Sequence, residues 1–113
     1  MITLWHNPSC SKSRQARDLL IRAGHDPVIR LYLKNPPDEA ELRAAQIALG
    51  LPAIAMMRPG EAVFKEMGLR KTDPEDRLIA AMAANPILIE RPILFSGARA
   101  VIGRPPEAVL DLL

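Results

Sequence analysis

An α/β domain built on a mixed sheet of about four strands is predicted by three stretches of the sequence. Ile2-Thr3-Leu4-Trp5 is a short β-branched and apolar run that gives way at once to a polar turn and an amphipathic segment. Pro27 to Leu33 is a second short apolar run, so the order strand, helix, strand predicts a parallel pair joined by a right-handed crossover. Ile93-Leu94-Phe95 and Ala100-Val101-Ile102 enclose Ser96-Gly97, as the two arms of an antiparallel hairpin would. A parallel pair and a hairpin in one chain make the sheet mixed.

The elements follow in order. After Cys10, Ala16, Leu19, Leu20 and Ala23 recur at helical spacing while Lys12, Arg14, Arg17, Asp18 and Arg22 take the other faces. Gly24 is placed to end that helix. Asn35-Pro36-Pro37 breaks the second strand, and Asp38 with Glu41 three residues on forms a capping box for a helix whose apolar side is Leu42, Ala45, Ile47, Ala48 and Leu49 before Gly50. Pro52 to Met57 is a short apolar run ending in the turn Arg58-Pro59-Gly60. Val63, Phe64 and Met67 predict a brief helix stopped by Gly68. Asp73-Pro74-Glu75-Asp76 supplies a cap, a first-turn proline and first-turn acids for a helix that buries Leu78, Ile79 and Met82 and ends at Asn85-Pro86. A last helix from Pro106 to Leu113 is expected to bury Val109, Leu110 and Leu113. With no linker or internal repeat, residues 1–113 read as a single domain with a helical insertion over about 36–86.

Half of the 113 residues are apolar and a quarter are charged, the balance of a globular chain able to bury a core without disulfides or metals. The net charge of +2 is spread along the chain, with no basic block or aromatic interleaving of the kind that binds nucleic acid. No run approaches the length of a membrane span and no signal peptide is visible, so a cytoplasmic protein is expected. No Cys/His cluster has metal-ligand spacing, and no metal or bound cofactor is expected. The single cysteine cannot form an internal disulfide.

That cysteine lies in His6-Asn7-Pro8-Ser9-Cys10-Ser11-Lys12-Ser13-Arg14, where a strand becomes a helix. Unpaired amides and the positive end of the dipole favour an anion there, hence thiolate over thiol. Cationic neighbours such as Lys12 and Arg14 act in the same direction, and Ser13, one turn on, offers a hydroxyl and an N–H to the sulfur. A lone cysteine is more often an inert small hydrophobe. The polar surroundings of Cys10 weigh against that reading. Three arginines, Arg58, Arg91 and Arg104, each precede a proline, which fixes the direction of the backbone at their roots. Converging on a thiolate, they would form an oxyanion site, since guanidinium forks match tetrahedral oxyanions. Spacing alone does not establish convergence.

The segments His6 to Cys10 with Ser13-Arg14, Met57-Arg58, Asn85 to Ile93, and Gly103-Arg104-Pro105-Pro106-Glu107 together resemble the glutaredoxin-dependent arsenate reductases of bacteria. Within them the motifs are most similar to a shorter, arsenate-reductase-like branch. The resemblance implies a thioredoxin-like fold with an inserted helical part. It maps the catalytic cysteine onto Cys10 and the oxyanion arginines onto Arg58, Arg91 and Arg104. It also implies a cis peptide before Pro92, and a role for His6 in holding the thiolate, with Asn7, Ser13 and Arg14 as further support. The implied partners are arsenate or a similar oxyanion, glutathione as co-substrate and glutaredoxin.

Three functions are weighed. In the first, the Cys10 thiolate attacks arsenate, glutathione forms a mixed adduct and glutaredoxin resolves it; the single cysteine agrees with this, because a self-resolving reductase needs a second. The phosphatase-like arsenate reductases are set aside because Ala16 stands where their loop requires arginine. In the second, the same site acts on another natural substrate. In the third, the chain is an Spx-type regulator that binds RNA polymerase; such proteins usually carry Cys-x-x-Cys, and here the fourth position is Ser13.

Overall fold

The computed structural model describes residues 1–113. The strands are β1 (Ile2–Trp5), β2 (Val28–Arg30), β3 (Ile93–Ser96) and β4 (Arg99–Ile102), and they form one mixed sheet in the order β2-β1-β3-β4. β1 and β2 are parallel, whereas β3 is antiparallel to both β1 and β4. The helices are α1 (Ser11–Arg22), α2 (Glu39–Leu49), α3 (Ala62–Glu66) and α4 (Glu75–Ala84), with 3-10 turns at Ala53–Met56, Pro86–Leu88 and Pro106–Leu112. The sheet is of the expected class, although β2 has only three residues because the chain turns at Leu31 and Lys34 N–H donates back to its carbonyl.

The chain divides into two compact units, Met1–Asn35 with Arg91–Leu113, and Pro36–Glu90. In the first, α1 and the turn 106–112 cover the sheet through a cluster of Leu4, Ala16, Leu20, Leu94, Val109 and Leu112. Leu4, Leu20 and Leu94 are fully buried, each contributing about 1.5–3 kcal/mol by leaving water. The closing segment is 3-10 rather than α-helical. Its tighter winding turns Leu112 inward and leaves Leu113 exposed, the reverse of the expectation for Leu113.

In the second unit, α4 packs against α2 and against the 3-10 turns at 53–56 and 86–88. The capping box is present: the Asp38 carboxylate accepts from Glu41 N–H at 2.8 Å, and Glu41 Oε1 accepts from Asp38 N–H at 3.2 Å. At the other end, Gly50 adopts φ +68, a left-handed conformation that glycine enters without a Cβ penalty. Only Leu42 and Ala45 of α2 are buried; Ile47 is 82% exposed, because it sits on the far side of the helix from α4. α4 is capped by Pro74 rather than Asp73, whose carboxylate instead accepts from Arg70 N–H at 2.9 Å. Glu75 then ties this unit together, accepting from Ala53 N–H at 2.9 Å and from the Gln46 amide at 2.7 Å. After α4, the 3-10 turn Pro86–Leu88 leads into a single bridge between Met57 and Ile89.

Candidate active site

Register decides what meets at one end of the sheet. Trp5 is level with Arg30 of β2 and with Ile93 of β3, and Ile93 is level with Ile102 of β4. The loop after β1, the turn after β2, the segment before β3 and the segment after β4 therefore leave the sheet at the same edge. Those four segments contain Cys10, Lys34, Arg91 and Arg104.

Cys10 is the N-cap of α1, with extended backbone (φ −97, ψ 123), and its carbonyl accepts from Arg14 N–H at 3.0 Å. The loop before it is self-braced: Cys10 N–H donates to Asn7 O at 3.0 Å, Ser9 N–H donates to Asn7 Oδ1 at 3.0 Å, and Arg14 donates to Pro8 O at 2.8 Å. The sulfur faces the first turn of the helix, where the Lys12 and Ser13 amides are directed at it. Burial pushes the Cys10 thiol up, but this is outweighed by the Ser13 amide, a hydrogen bond from the Arg91 guanidinium, the Lys12 amide and the Arg91 charge, so the net pKa lies below the ordinary value. Arg104 adds an Nη2–sulfur contact of 3.7 Å while its Nε donates to Arg91 O at 2.9 Å, which ties the two arginines to each other.

Ser13 is fully buried, and its side chain serves the loop rather than the sulfur. Its Oγ accepts from Asn7 N–H at 3.0 Å and shares a 2.6 Å hydrogen bond with His6 Nδ1. The ring of His6 is buried, and burial first, then the charges of Arg17 and Arg14, hold its pKa below 6.5 against the opposing pull of Asp18. His6 is therefore neutral near pH 7, a polar strut between β1 and α1.

The Arg91–Pro92 peptide is cis, and so is Arg104–Pro105. Gly103 lies between these segments, with its N–H donating to Pro92 O at 2.9 Å. A Cβ at Gly103 would stand 2.7 Å from Pro92 Cγ and 3.1 Å from Val109 Cγ1, so only glycine fits. Sequence reasoning gave Gly103 no role; its place in the Gly-Arg-Pro run was the available signal.

The structure thus brings Cys10, Arg91 and Arg104 together, with Asn7, Ser13, His6 and Arg14 bracing the loop. Arg58 belongs to the second unit, where its guanidinium pairs with Glu61 at 3.3 Å and with Glu90 at 3.1 Å beside Gly60. Glu61 is a local partner three residues on, whereas Glu90 is not foreseeable from the sequence, since it is brought to Arg58 by the Met57–Ile89 bridge. No group of three or more His, Cys, Asp or Glu is placed to hold a metal ion, and no helix is long and apolar enough to cross a membrane.

Residues 5–112 match the pattern of the ArsC family. An arsenate reductase of Haemophilus influenzae is 40% identical over 99% of this chain and 98% of its own length, and an uncharacterized Escherichia coli protein, YfgD, is 44% identical over 99% and 96%. The solved structure of an arsenate reductase from Vibrio cholerae superposes with a TM-score of 0.96 at 44% identity, covering 99% of this chain and 97% of that one. Similarity of that extent in sequence and in fold, over nearly the full length of each protein, establishes that this chain belongs to the ArsC family and has the thioredoxin-like fold of the arsenate reductases.

Proposed function

We propose that this protein reduces arsenate to arsenite in the cytoplasm, drawing electrons from glutathione and glutaredoxin. The observation that carries the reading is the sulfur at the start of α1, favoured as thiolate and addressed by the guanidiniums of both Arg91 and Arg104. A thiolate repels an arsenate dianion, so attack requires positive charge beside the sulfur, and forked donors supply it at the geometry of a tetrahedral anion. Arg58 is the third arginine of the proposal.

In the first step the Cys10 thiolate forms an S–As bond and an oxygen of arsenate leaves as water. The glutathione thiolate replaces a second oxygen in the same way. A glutaredoxin thiolate then attacks the glutathione sulfur: an S–S bond forms, the S–As bond breaks and its electron pair goes to arsenic, which becomes As(III). Hydrolysis of the remaining S–As bond releases arsenite and returns Cys10. The chain's one cysteine agrees with this sequence, because the disulfide forms between external thiols.

The test is a glutaredoxin-coupled assay with arsenate and a panel of other oxyanions, run on the parent and on Cys10→Ser. Arsenate turnover that disappears in Cys10→Ser supports the reading. Turnover of another oxyanion in place of arsenate keeps the site and changes the substrate, and co-purification with RNA polymerase without turnover favours the regulator.

A further inference from the structure

Arg58 is held by two carboxylates that the backbone delivers to it. The bridge between Met57 and Ile89 is flanked by Arg58 N–H donating to Leu88 O at 2.8 Å and by Glu90 N–H donating to Met56 O at 2.9 Å. Successive side chains alternate across such a pair, so the buried Met57 and Ile89 take one face while Arg58 and Glu90 take the other. There Arg58 Nη1 donates to Glu90 Oε1 at 3.1 Å. The turn 58–61 closes with Glu61 N–H donating to Arg58 O at 3.1 Å, which returns the Glu61 carboxylate to Arg58 Nε at 3.3 Å. The three side chains are only 20–27% exposed, so water competes little for them, and with Gly60 they line a cleft of about 350 Å³. One guanidinium against two carboxylates leaves that cleft with an excess of negative charge, the opposite of what a bare anion needs.

We propose that Glu90 is a specificity-determining residue: with Arg58 it takes a tetrahedral oxyanion that still carries an O–H group and rejects one that carries none. The inference rests on the oxyanion site proposed above and narrows its substrate class. The carboxylates occupy Nε and Nη1 of Arg58, so an anion reaches the guanidinium through Nη2. Glu61 holds Nε from within the same turn, whereas Glu90 stands at the terminal edge that Nη1 shares with Nη2. The N–H groups of a planar guanidinium hold their acceptors side by side, so an anion on that edge lies against the Glu90 carboxylate. An anion oxygen that bears a proton donates to the carboxylate in a charge-assisted hydrogen bond. An oxygen without a proton meets a second acceptor of like charge and is repelled. A carboxylate has about four lone-pair sites, so accepting from Nη1 does not exhaust it. Arsenate near neutral pH keeps an O–H, as does phosphate, whereas sulfate has none. A site built to bind a substrate hydroxyl rejects the analogue without it far more strongly than a site that only fits its shape, because the partner group is left unpaired.

The probes are inorganic phosphate and sulfate, titrated into the full chain above neutral pH, where both are dianions of similar size that differ in the O–H. Binding is read by NMR from the amides of 58, 60, 61 and 88–90. In the parent, phosphate is expected to bind about tenfold tighter than sulfate, equivalent to about 1.4 kcal/mol. Glu90→Gln keeps the size of the side chain and an acceptor for Arg58 but removes the charge and adds an N–H donor; sulfate should then bind about tenfold tighter and the preference should vanish. Glu90→Asp, which keeps the acid, should keep the preference, and Arg58→Ala should weaken both anions. In the glutaredoxin-coupled assay, sulfate should inhibit arsenate reduction by Glu90→Gln at concentrations that leave the parent unaffected. Equal binding of the two anions by the parent, a preference that persists in Glu90→Gln, or no shift of these amides by either anion overturns the inference. If the parent reduces no oxyanion and yet prefers phosphate in a manner lost in Glu90→Gln, the reductase reading fails while the role of Glu90 stands. If the parent reduces arsenate and sulfate inhibits it as strongly as phosphate does, the reductase reading stands and the role of Glu90 fails.

Discussion

Replacing Ser13 by alanine is the most direct test of how the loop before Cys10 is held. The hydroxyl is fully buried and has two partners, the Asn7 N–H at 3.0 Å and His6 Nδ1 at 2.6 Å. Removing it leaves two buried polar groups without a partner, and each such group costs about 1–3 kcal/mol, for a total of about 2–6 kcal/mol. At about 4 °C per kcal/mol for a chain of this size, Tm should fall by about 8–24 °C. Urea melts should show a lower midpoint with an unchanged slope, the signature of lost stability rather than an altered denatured state. Ser9→Ala is the control: Ser9 is exposed and contributes only its backbone N–H to the turn, so a change within about 0.5 kcal/mol is expected. Because His6 and Ser13 share one hydrogen bond, the double variant His6→Ala, Ser13→Ala should cost less than the two single losses added together. The Ser13 amide survives the substitution, so Cys10 should keep a depressed alkylation midpoint. A Ser13→Ala loss below about 1 kcal/mol, or additive single losses, would refute the hub assigned to this hydroxyl.

Arg58→Ala, Arg91→Ala and Arg104→Ala should each lower kcat/KM for the oxyanion about ten- to a thousandfold with little change in Tm; lysine at these positions should restore part of the activity, because the charge returns without the fork. The rate of alkylation of Cys10 against pH should have its midpoint below 9.0, and Arg91→Ala should move it upward, since that guanidinium both donates to the sulfur and acts through its charge. Folded His6 has a pKa below 6.5, so as the pH falls through 6.5 the unfolded chain takes up a proton that the folded chain declines; stability should drop on the acid side of that value and be flat above it, and His6→Asn should remove this component from a pH series of urea melts. Gly103→Ala should cost about 1–3 kcal/mol by overpacking against the Pro92 ring and lower kcat/KM as well, because the displaced segments carry Arg91 and Arg104.

What could be read from the sequence was mostly what is decided over a few residues. The Asp38 capping box, the left-handed Gly50 and the position of Cys10 at the start of α1 depend on neighbours within one turn, and all three are present. Inward and outward faces were less legible where the partner lay far along the chain: Ile47 has the right residue type for a core, and no helix covers it. The same holds for the candidate site. Cys10 announces itself by position, whereas the meeting of Arg91 and Arg104 at its sulfur depends on strand register across 94 residues. The need for glycine at 103 depends on a proline ring eleven residues earlier, which local propensity does not see.

The separation between Cys10 and Arg104 also bears on when the thiol becomes reactive. During synthesis the cysteine is made well before the segments carrying Arg91 and Arg104. Until β3 and β4 have paired beside β1, those cations are not at the sulfur, and only the amides of Lys12 and Ser13 in α1 hold the Cys10 pKa down. The part of the thiolate stabilisation that Arg91 supplies is thus acquired only when the hairpin pairs with β1. The rate at which Cys10 reacts therefore becomes an internal reporter of whether the C-terminal hairpin is in place.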